Sequence, residues 1–351
     1  MTSFDDDATN HFMFPDLADL LVSFESIMEQ PLPPIDWLVE PLIPRQSRIV
    51  VFGEYGSMKS WTLLDLSLHL AAGRAWLDTF EISEPRSVLY IDEEMPGHEL
   101  RRRVKRMGEG MGLKGVSIPF HAVSHLGVRF TEEKVEGVLR DLRLVGFDPE
   151  IIVVETMRRV LVGSENEATH VARFWDSASP ILSAGKTLII SHHMKKPNAQ
   201  NPDAVKHRAS GSTDILAGAD LAYAITRSQD DVLTIRCEKN RVAPEIEPFK
   251  VQLVTEGIDD EQSSVIMRYV GQPANGEEDR SKAQEAKEAI LAYLRDQQMF
   301  TSTRKDLLAY LRLQGIAERT GEYALEDLCD EGTVERIAHG KYRLRPEVNA
   351  V

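Results

Sequence analysis

Between Pro34 and Val270 the apolar positions fall in short unbroken runs, at residues 49–52, 87–91, 151–154 and 187–190. Runs of this length separated by helically spaced segments predict strands buried on both faces of a mainly parallel α/β sheet. After Asp220 the strands come closer together, at residues 221–226, 232–241, 249–254 and 264–270. That spacing leaves no room for crossover helices and predicts an antiparallel extension of the same sheet.

The flanks differ. Within residues 15–28, Leu17, Leu20, Leu21, Phe24 and Ile27 recur at helical spacing, and Pro31, Pro33 and Pro34 then enforce an extended connector. Residues 271–281, with Pro273, Gly276 and several charges, read as a linker. Beyond it, helices at 283–295, 304–313 and 321–331 precede a strand pair within 334–344 that turns at Gly340. Helix, helix, helix, wing is the order of a winged helix-turn-helix. The division expected is residues 1–33 (amphipathic helix and Pro-rich connector), 34–270 (α/β core), 271–282 (linker) and 283–346 (winged helix).

Composition narrows the classes. The 351 residues carry 41 Lys+Arg against 56 Asp+Glu, a net charge of −15, so the surface as a whole does not suit a nucleic-acid or anionic-membrane coat. Any such contact must be local. Two cysteines, Cys237 and Cys329, make no disulfide framework, and no apolar run reaches the length of a membrane span. A soluble, cytoplasmic protein with no membrane partner is the expectation.

The strongest chemical signal is Gly53-Glu54-Tyr55-Gly56-Ser57-Met58-Lys59-Ser60, placed after strand 49–52 and before the apolar helix that Trp61 opens. In a P-loop the backbone N–H groups from Gly53 to Trp61 surround the phosphates of a nucleotide such as ATP. Lys59 then reaches the outer phosphates and the Ser60 hydroxyl ligates Mg²⁺. Met58 stands where the usual motif has glycine.

From residues 35–38 through this loop the chain resembles RecA-like ATPases of the plasmid replicative helicase RepA type, and the resemblance continues at each later landmark. Tyr90-Ile91-Asp92-Glu93-Glu94-Met95-Pro96 resembles the second core strand of DnaB-like helicases, whose terminal Glu activates water. Aligned on Met95-Pro96, Glu94 is the catalytic candidate, with Asp92 and Glu93 able to share the role. Ile151-Ile152-Val153-Val154-Glu155 resembles a Walker B strand, with Glu155 in place of Asp as the holder of Mg²⁺ through water. Ser191-His192-His193 resembles the strand whose end senses the γ-phosphate. His192 is the residue assigned that role, although adjacent strand residues face opposite ways and only one histidine can look at the nucleotide. Lys239-Asn240-Arg241 resembles the Lys-Asn-Arg element of DnaB- and RadA-type proteins, whose cations act on the neighbouring subunit's nucleotide.

The resemblance implies a RecA-like P-loop core bearing a winged helix, an ATP- and Mg²⁺-dependent motor, a homo-oligomer in the form of a hexameric ring, and single-stranded DNA as partner. Lys195, Lys196, Lys206 and Arg208 lie in the loop where RecA-fold proteins face the central channel, and suit phosphate contact. The third C-terminal helix is acidic, whereas the wing carries Arg336, Lys341, Arg343 and Arg345. Wing-mediated nucleic-acid contact and a protein interface therefore both stand. Met58 and Glu155 bear on hydrolysis more than on binding. A nucleotide-dependent assembly or regulatory protein with weak turnover is the alternative to the motor, and an ATPase acting on protein is a third reading.

Overall fold

The computed structural model describes residues 21–31, 34–193, 214–228, 230–244, 246–257, 263–273, 277–297, 301–330, 332–338 and 340–345. Two compact units are present, residues 1–36 and 37–351. In the first, α1 (Phe24–Glu29) starts where the Ser23 hydroxyl accepts a hydrogen bond from the Ser26 N–H at 3.1 Å. It buries none of its residues, and Leu21, Phe24, Ile27 and Met28 stay exposed. Residues 15–20 of the helix read from sequence lie outside the described residues.

The second unit begins with a ribbon of β1 (Trp37–Val39) and β2 (Ile43–Pro44), followed by β3 (Arg48–Gly53), α2 (Lys59–Ala72) and β4 (Val88–Asp92). Next come α3 (Gly97–Gly110), β5 (Phe120–Ser124), α4 (Glu132–Leu144), β6 (Ile151–Glu155), α5 (Met157–Val160), α6 (Ala168–Ser183) and β7 (Thr187–His193). A short α7 (Asp214–Gly218) leads into β8 (Leu221–Arg227), β9 (Val232–Asn240), β10 (Phe249–Glu256) and β11 (Ser264–Gly271).

Nine of these strands form one sheet in the order β11-β10-β9-β8-β3-β7-β6-β4-β5. The six from β8 to β5 run parallel, and β9 to β11 continue antiparallel, as the spacing of apolar runs implied. β3, the strand of the phosphate motif, is central, and everything at its C-terminal end opens on the crevice where parallel sheets place ligands.

Each face of the sheet has its own core. On one, α2 and α3 bury Leu63, Leu66, Leu70, Leu100 and Met107; on the other, α4 and α6 bury Val135, Leu139, Phe174 and Ala178. α2 is buried nearly all round, and the packing explains why. The antiparallel extension folds over it until β11 meets α3, so α2 is covered on every side. At Gly110 the approach is so close that an added Cβ would meet the Val265 carbonyl oxygen at 2.3 Å. The one carboxylate inside this enclosure, Asp65, accepts from Trp76 Nε1 at 2.9 Å, which satisfies it where water is excluded.

The C-terminal elements are α8 (Glu277–Asp296), β12 (Thr301–Thr303), α9 (Arg304–Leu313), α10 (Glu318–Asp330), β13 (Val334–Ala338) and β14 (Lys341–Leu344). α8 begins at Glu277, inside the stretch read as linker, rather than at residue 283. The strands pair antiparallel in the order β12-β14-β13, and Ile290, Leu294, Leu307, Leu311, Leu325 and Leu328 make a separate core beneath them. Among the described residues no helix is long and apolar enough to cross a membrane.

Candidate functional site

The phosphate loop follows directly from β3. Gly53 admits no side chain: a Cβ there would meet the Ile225 carbonyl oxygen of β8 at 2.5 Å and Ser57 Oγ at 2.6 Å. Gly56 takes φ +79°, and Met58, the residue in the glycine's place, adopts the same left-handed region at φ 60°, ψ 25°. The loop therefore keeps its turn despite the substitution, at a backbone cost of about 1–2 kcal/mol. Part of that is offset because the Met58 side chain packs against the core beside α2. From this left-handed residue α2 starts, with the Met58 carbonyl accepting from the Thr62 N–H at 3.0 Å.

The Lys59 side chain is buried and folded onto the loop, its ammonium donating to the Gly53 and Glu54 carbonyl oxygens at 2.9 Å each. Burial lowers its pKa, against the pull of Glu155, Glu94 and Glu54. Ser60 Oγ donates to Glu155 Oε2 at 2.9 Å, bringing the loop and the end of β6 together. Burial pushes the Glu155 carboxyl up to about 7, opposed by the Ser60 hydroxyl and Lys59 and reinforced by Asp92. Its second oxygen, Oε1, is buried and has no hydrogen-bond partner among the described residues. A buried carboxylate oxygen left unsatisfied beside a hydroxyl is a donor pair suited to a hydrated divalent cation, so these residues fit Mg²⁺.

The three acids after β4 separate by role. Asp92 is buried and its Oδ1 accepts from the Glu94 and Met95 N–H groups at 2.9 and 2.8 Å, which shapes the turn. Glu93 points away, accepting from the Gly127 N–H at 3.0 Å. Neither is placed to share the role open to all three in the sequence. Glu94 alone lines the cleft with the phosphate loop, where His193 Nε2 at 4.0 Å and Arg159 Nε at 3.4 Å hold its carboxyl below the usual range.

One assignment is reversed. His192 lies in register with Phe52 and is fully buried on the face of Leu188 and Ile190, whereas His193, in register with Gly53, opens on the cleft. Of the two histidines only His193 borders the cleft, because the register with β3 decides which face of the β7 end meets the loop.

Lys59, Ser60, Trp61, Glu94, Glu155 and His193 all border one cleft of about 330 Å³. Two cations that sequence patterns did not reveal border it as well. Arg227, at the end of β8, donates to the Gly56 carbonyl at 3.0 Å and pairs with Asp231 at 2.7 Å; Arg103, on α3, stacks on Trp61. Neither belongs to a local motif. Arg227 could have been sought as the last residue of the strand beside β3.

Lys239 and Arg241 are not in the cleft. β9 runs antiparallel to β8, so Asn240 pairs with Leu221 at the end of the sheet opposite Gly53. There Lys239 Nζ donates to the Leu216, Ala217 and Ala219 carbonyls at 2.6 to 3.0 Å, and Arg241 donates to the Ala217 carbonyl at 3.0 Å. These cations complement the C-terminal end of α7. Arg241 remains half exposed.

Lys195, Lys196, Lys206 and Arg208 lie outside the described residues. On β14, Lys341 is exposed, but Arg343 is not an open cation: its Nε donates to Glu335 at 2.6 Å, and Arg345 joins the same carboxylate. Two of the acids on α10 are likewise matched internally, Glu322 on Arg304 at 2.5 Å and Asp327 on Lys287 at 3.1 Å.

A family model described as "AAA domain" (AAA_25) matches residues 10–199. No curated protein matches. Among solved structures, similarity is found to a KaiC-like protein of the hyperthermophilic archaeon Pyrococcus horikoshii, at 14% identity and TM-score 0.41, over 67% of this chain and 95% of that one. It is also found to the flagellar accessory protein FlaH of Methanocaldococcus jannaschii, at 13% identity and TM-score 0.43, over 66% of this chain and 92% of that one.

Proposed function

The chain belongs to the AAA domain family (AAA_25), a P-loop ATPase family, and on that premise we propose that it is an ATP-binding and ATP-hydrolysing RecA-like motor of the RepA type, acting on DNA as an oligomer. The observation that carries this reading is the convergence of Lys59, Ser60, Glu155 and Glu94 from three strand ends on one cleft. In it, the loop N–H groups and Lys59 would hold the phosphates of ATP, and Ser60 and Glu155 would hold Mg²⁺, which would supply Lewis-acid polarisation of the terminal phosphate. Glu94 orients the attacking water and accepts its proton.

Residues 34–270 are the motor core and 283–346 a winged helix, which the strand order β12-β14-β13 and the helices α8 to α10 support. The core is tested by hydrolysis measured with and without single-stranded DNA. Stimulation by DNA that disappears when Lys195 and Lys196 are both changed to Ala is the expected result; equal rates with and without DNA would leave the motor without this substrate.

Oligomeric action follows from Lys239 and Arg241. Both stand at the far end of the sheet from their own phosphate loop; Lys239 is committed to the α7 carbonyls, and the half-exposed Arg241 is the cation that can meet a nucleotide on another copy. Mixing the inactive Arg241→Ala and Lys59→Ala chains is expected to restore hydrolysis, because an intact Arg241 on one chain then serves an intact loop on the other. Mixtures no more active than either variant alone would place Arg241 outside the reaction.

A second reading, a nucleotide-dependent assembly protein with weak turnover, is favoured by two departures from the usual motifs, Met58 in the place of the loop glycine and Glu155 in the place of Asp. Nucleotide binding with hydrolysis no faster than in Glu94→Gln would select it.

A further inference from the structure

Three buried oxygen atoms at the ends of β6 and β7 have no hydrogen-bond partner among the described residues: Glu155 Oε1, Thr156 Oγ1 and Ser191 Oγ. Leaving buried polar atoms unpaired is costly, so their grouping calls for a use. Thr156 borders the cleft, where a ligand can meet it, whereas Ser191 is fully buried and does not border it. What the Ser191 hydroxyl serves is therefore another side chain.

Strand register identifies that side chain. Val154 of β6 pairs with Ile190 of β7, which sets Glu155 and Ser191 side by side as the next residues on the two strands. Period two puts Ser191 on the face of His193, one step deeper beneath the loop, in register with Val51 of β3. Burial raises the Glu155 carboxyl, and Ser60, Lys59 and Ser191 are the groups that pull it back. Ser60 already donates to Oε2 at 2.9 Å, so the unpaired acceptor left for the unpaired Ser191 donor is Oε1.

Glutamate in the usual place of Asp explains the need. Its extra methylene adds a torsion that must be fixed before the carboxylate can hold a hydrated cation, and a hydrogen bond at Oε2 alone leaves the other oxygen free to swing. A second donor at Oε1 fixes the plane. That oxygen has two lone pairs, so accepting from Ser191 leaves one for a metal-bound water.

We propose that Ser191 is a positioning residue of the Mg²⁺ site: its hydroxyl closes onto Glu155 Oε1 when Mg²⁺ binds and sets the longer carboxylate where the hydrated cation requires it. The proposal rests on the nucleotide reading of the cleft and adds a residue that no sequence motif designates.

The test measures affinity of the full chain for β,γ-imido ATP across Mg²⁺ concentrations, and its unfolding in denaturant without nucleotide. In Ser191→Ala the Mg²⁺ needed for half of the metal-dependent gain in affinity is expected to rise about tenfold, with affinity in the absence of Mg²⁺ within about twofold of the parent's. The unfolding midpoint is expected to stay or rise, because the hydroxyl removed has no partner, whereas a serine with a structural role would lower it. In a Glu155→Asp background the same change is expected to shift the Mg²⁺ requirement less than about twofold, since the shorter carboxylate no longer reaches Ser191. Parent-like Mg²⁺ dependence in Ser191→Ala, or an equal shift in both backgrounds, overturns the proposal while Lys59→Ala still weakens binding. So does a lower midpoint accompanied by equal weakening with and without Mg²⁺. Undiminished binding in Lys59→Ala overturns the nucleotide reading itself, and this proposal with it.

Discussion

Replacing Glu94 by Gln is expected to lower ATP hydrolysis by ~10²–10³-fold while nucleotide affinity stays within about threefold, since the change removes proton acceptance and not phosphate contact. The side chain keeps its length and its place in the cleft, so geometry is conserved and the loss isolates the charge. His193 and Arg159 hold the carboxyl below its usual range, which in the proposed role keeps it ready to orient water and accept a proton. The neighbours serve as controls with opposite expectations. Glu93→Gln, on a side chain bonded to the Gly127 N–H, leaves the rate close to the parent's. Asp92→Ala removes the acceptor of two backbone N–H groups, at a cost of about 1–3 kcal/mol in denaturant unfolding. Single-turnover hydrolysis beside equilibrium nucleotide binding checks the two glutamate variants, and a denaturant unfolding curve checks Asp92→Ala. If Glu94→Gln hydrolyses ATP at the parent rate, Glu94 is not the water-activating residue.

Lys59→Ala is expected to act earlier, on binding itself. The ammonium is the cation at the centre of the loop, and a charge-assisted contact with phosphate is worth about 1.5–3 kcal/mol, or ~10–150-fold in affinity. The loss extends beyond the contact. Without Lys59 the Gly53 and Glu54 carbonyls lose their shared donor, and the loop must be held in its left-handed turn at Met58 without it. Hydrolysis is expected to fall below detection as well, because Glu155 loses the cation that opposes its burial. Calorimetric titration with ADP and with a non-hydrolysable ATP analogue reads the effect. Parent-like affinity would mean that phosphates bind elsewhere.

Some of this site was legible residue by residue. The loop from Gly53 to Ser60, the carboxylate after β4 and the carboxylate ending β6 each sit in a local pattern whose chemistry explains its spacing. Apolar runs at 49–52, 87–91, 151–154 and 187–190 identified strands because a strand covered on both faces has no polar positions to spare. β5 was missed for the converse reason: at the sheet edge, Phe120, His121 and Ala122 are half-buried or exposed, and the run is not apolar. α8 was begun too late because Glu277 and its charged successors carry no apolar stripe to mark a helix.

Sequence alone determined what is local: that residues 49–60 form a strand, a phosphate loop and a helix start, and that the strand character changes after Asp220. These follow from period, turn chemistry and hydrogen-bonding capacity within a few residues. Tertiary structure decided what depends on register and distance. It chose His193 over His192 by aligning β7 with β3, and it sent Lys239 and Arg241 to the far end of the sheet by running β9 antiparallel. It also brought Arg103 and Arg227 to the cleft from segments that no motif connects to the loop. No residue-level pattern encodes those outcomes, because the side chains that meet there are set by how strands pair and helices pack, not by their spacing along the chain.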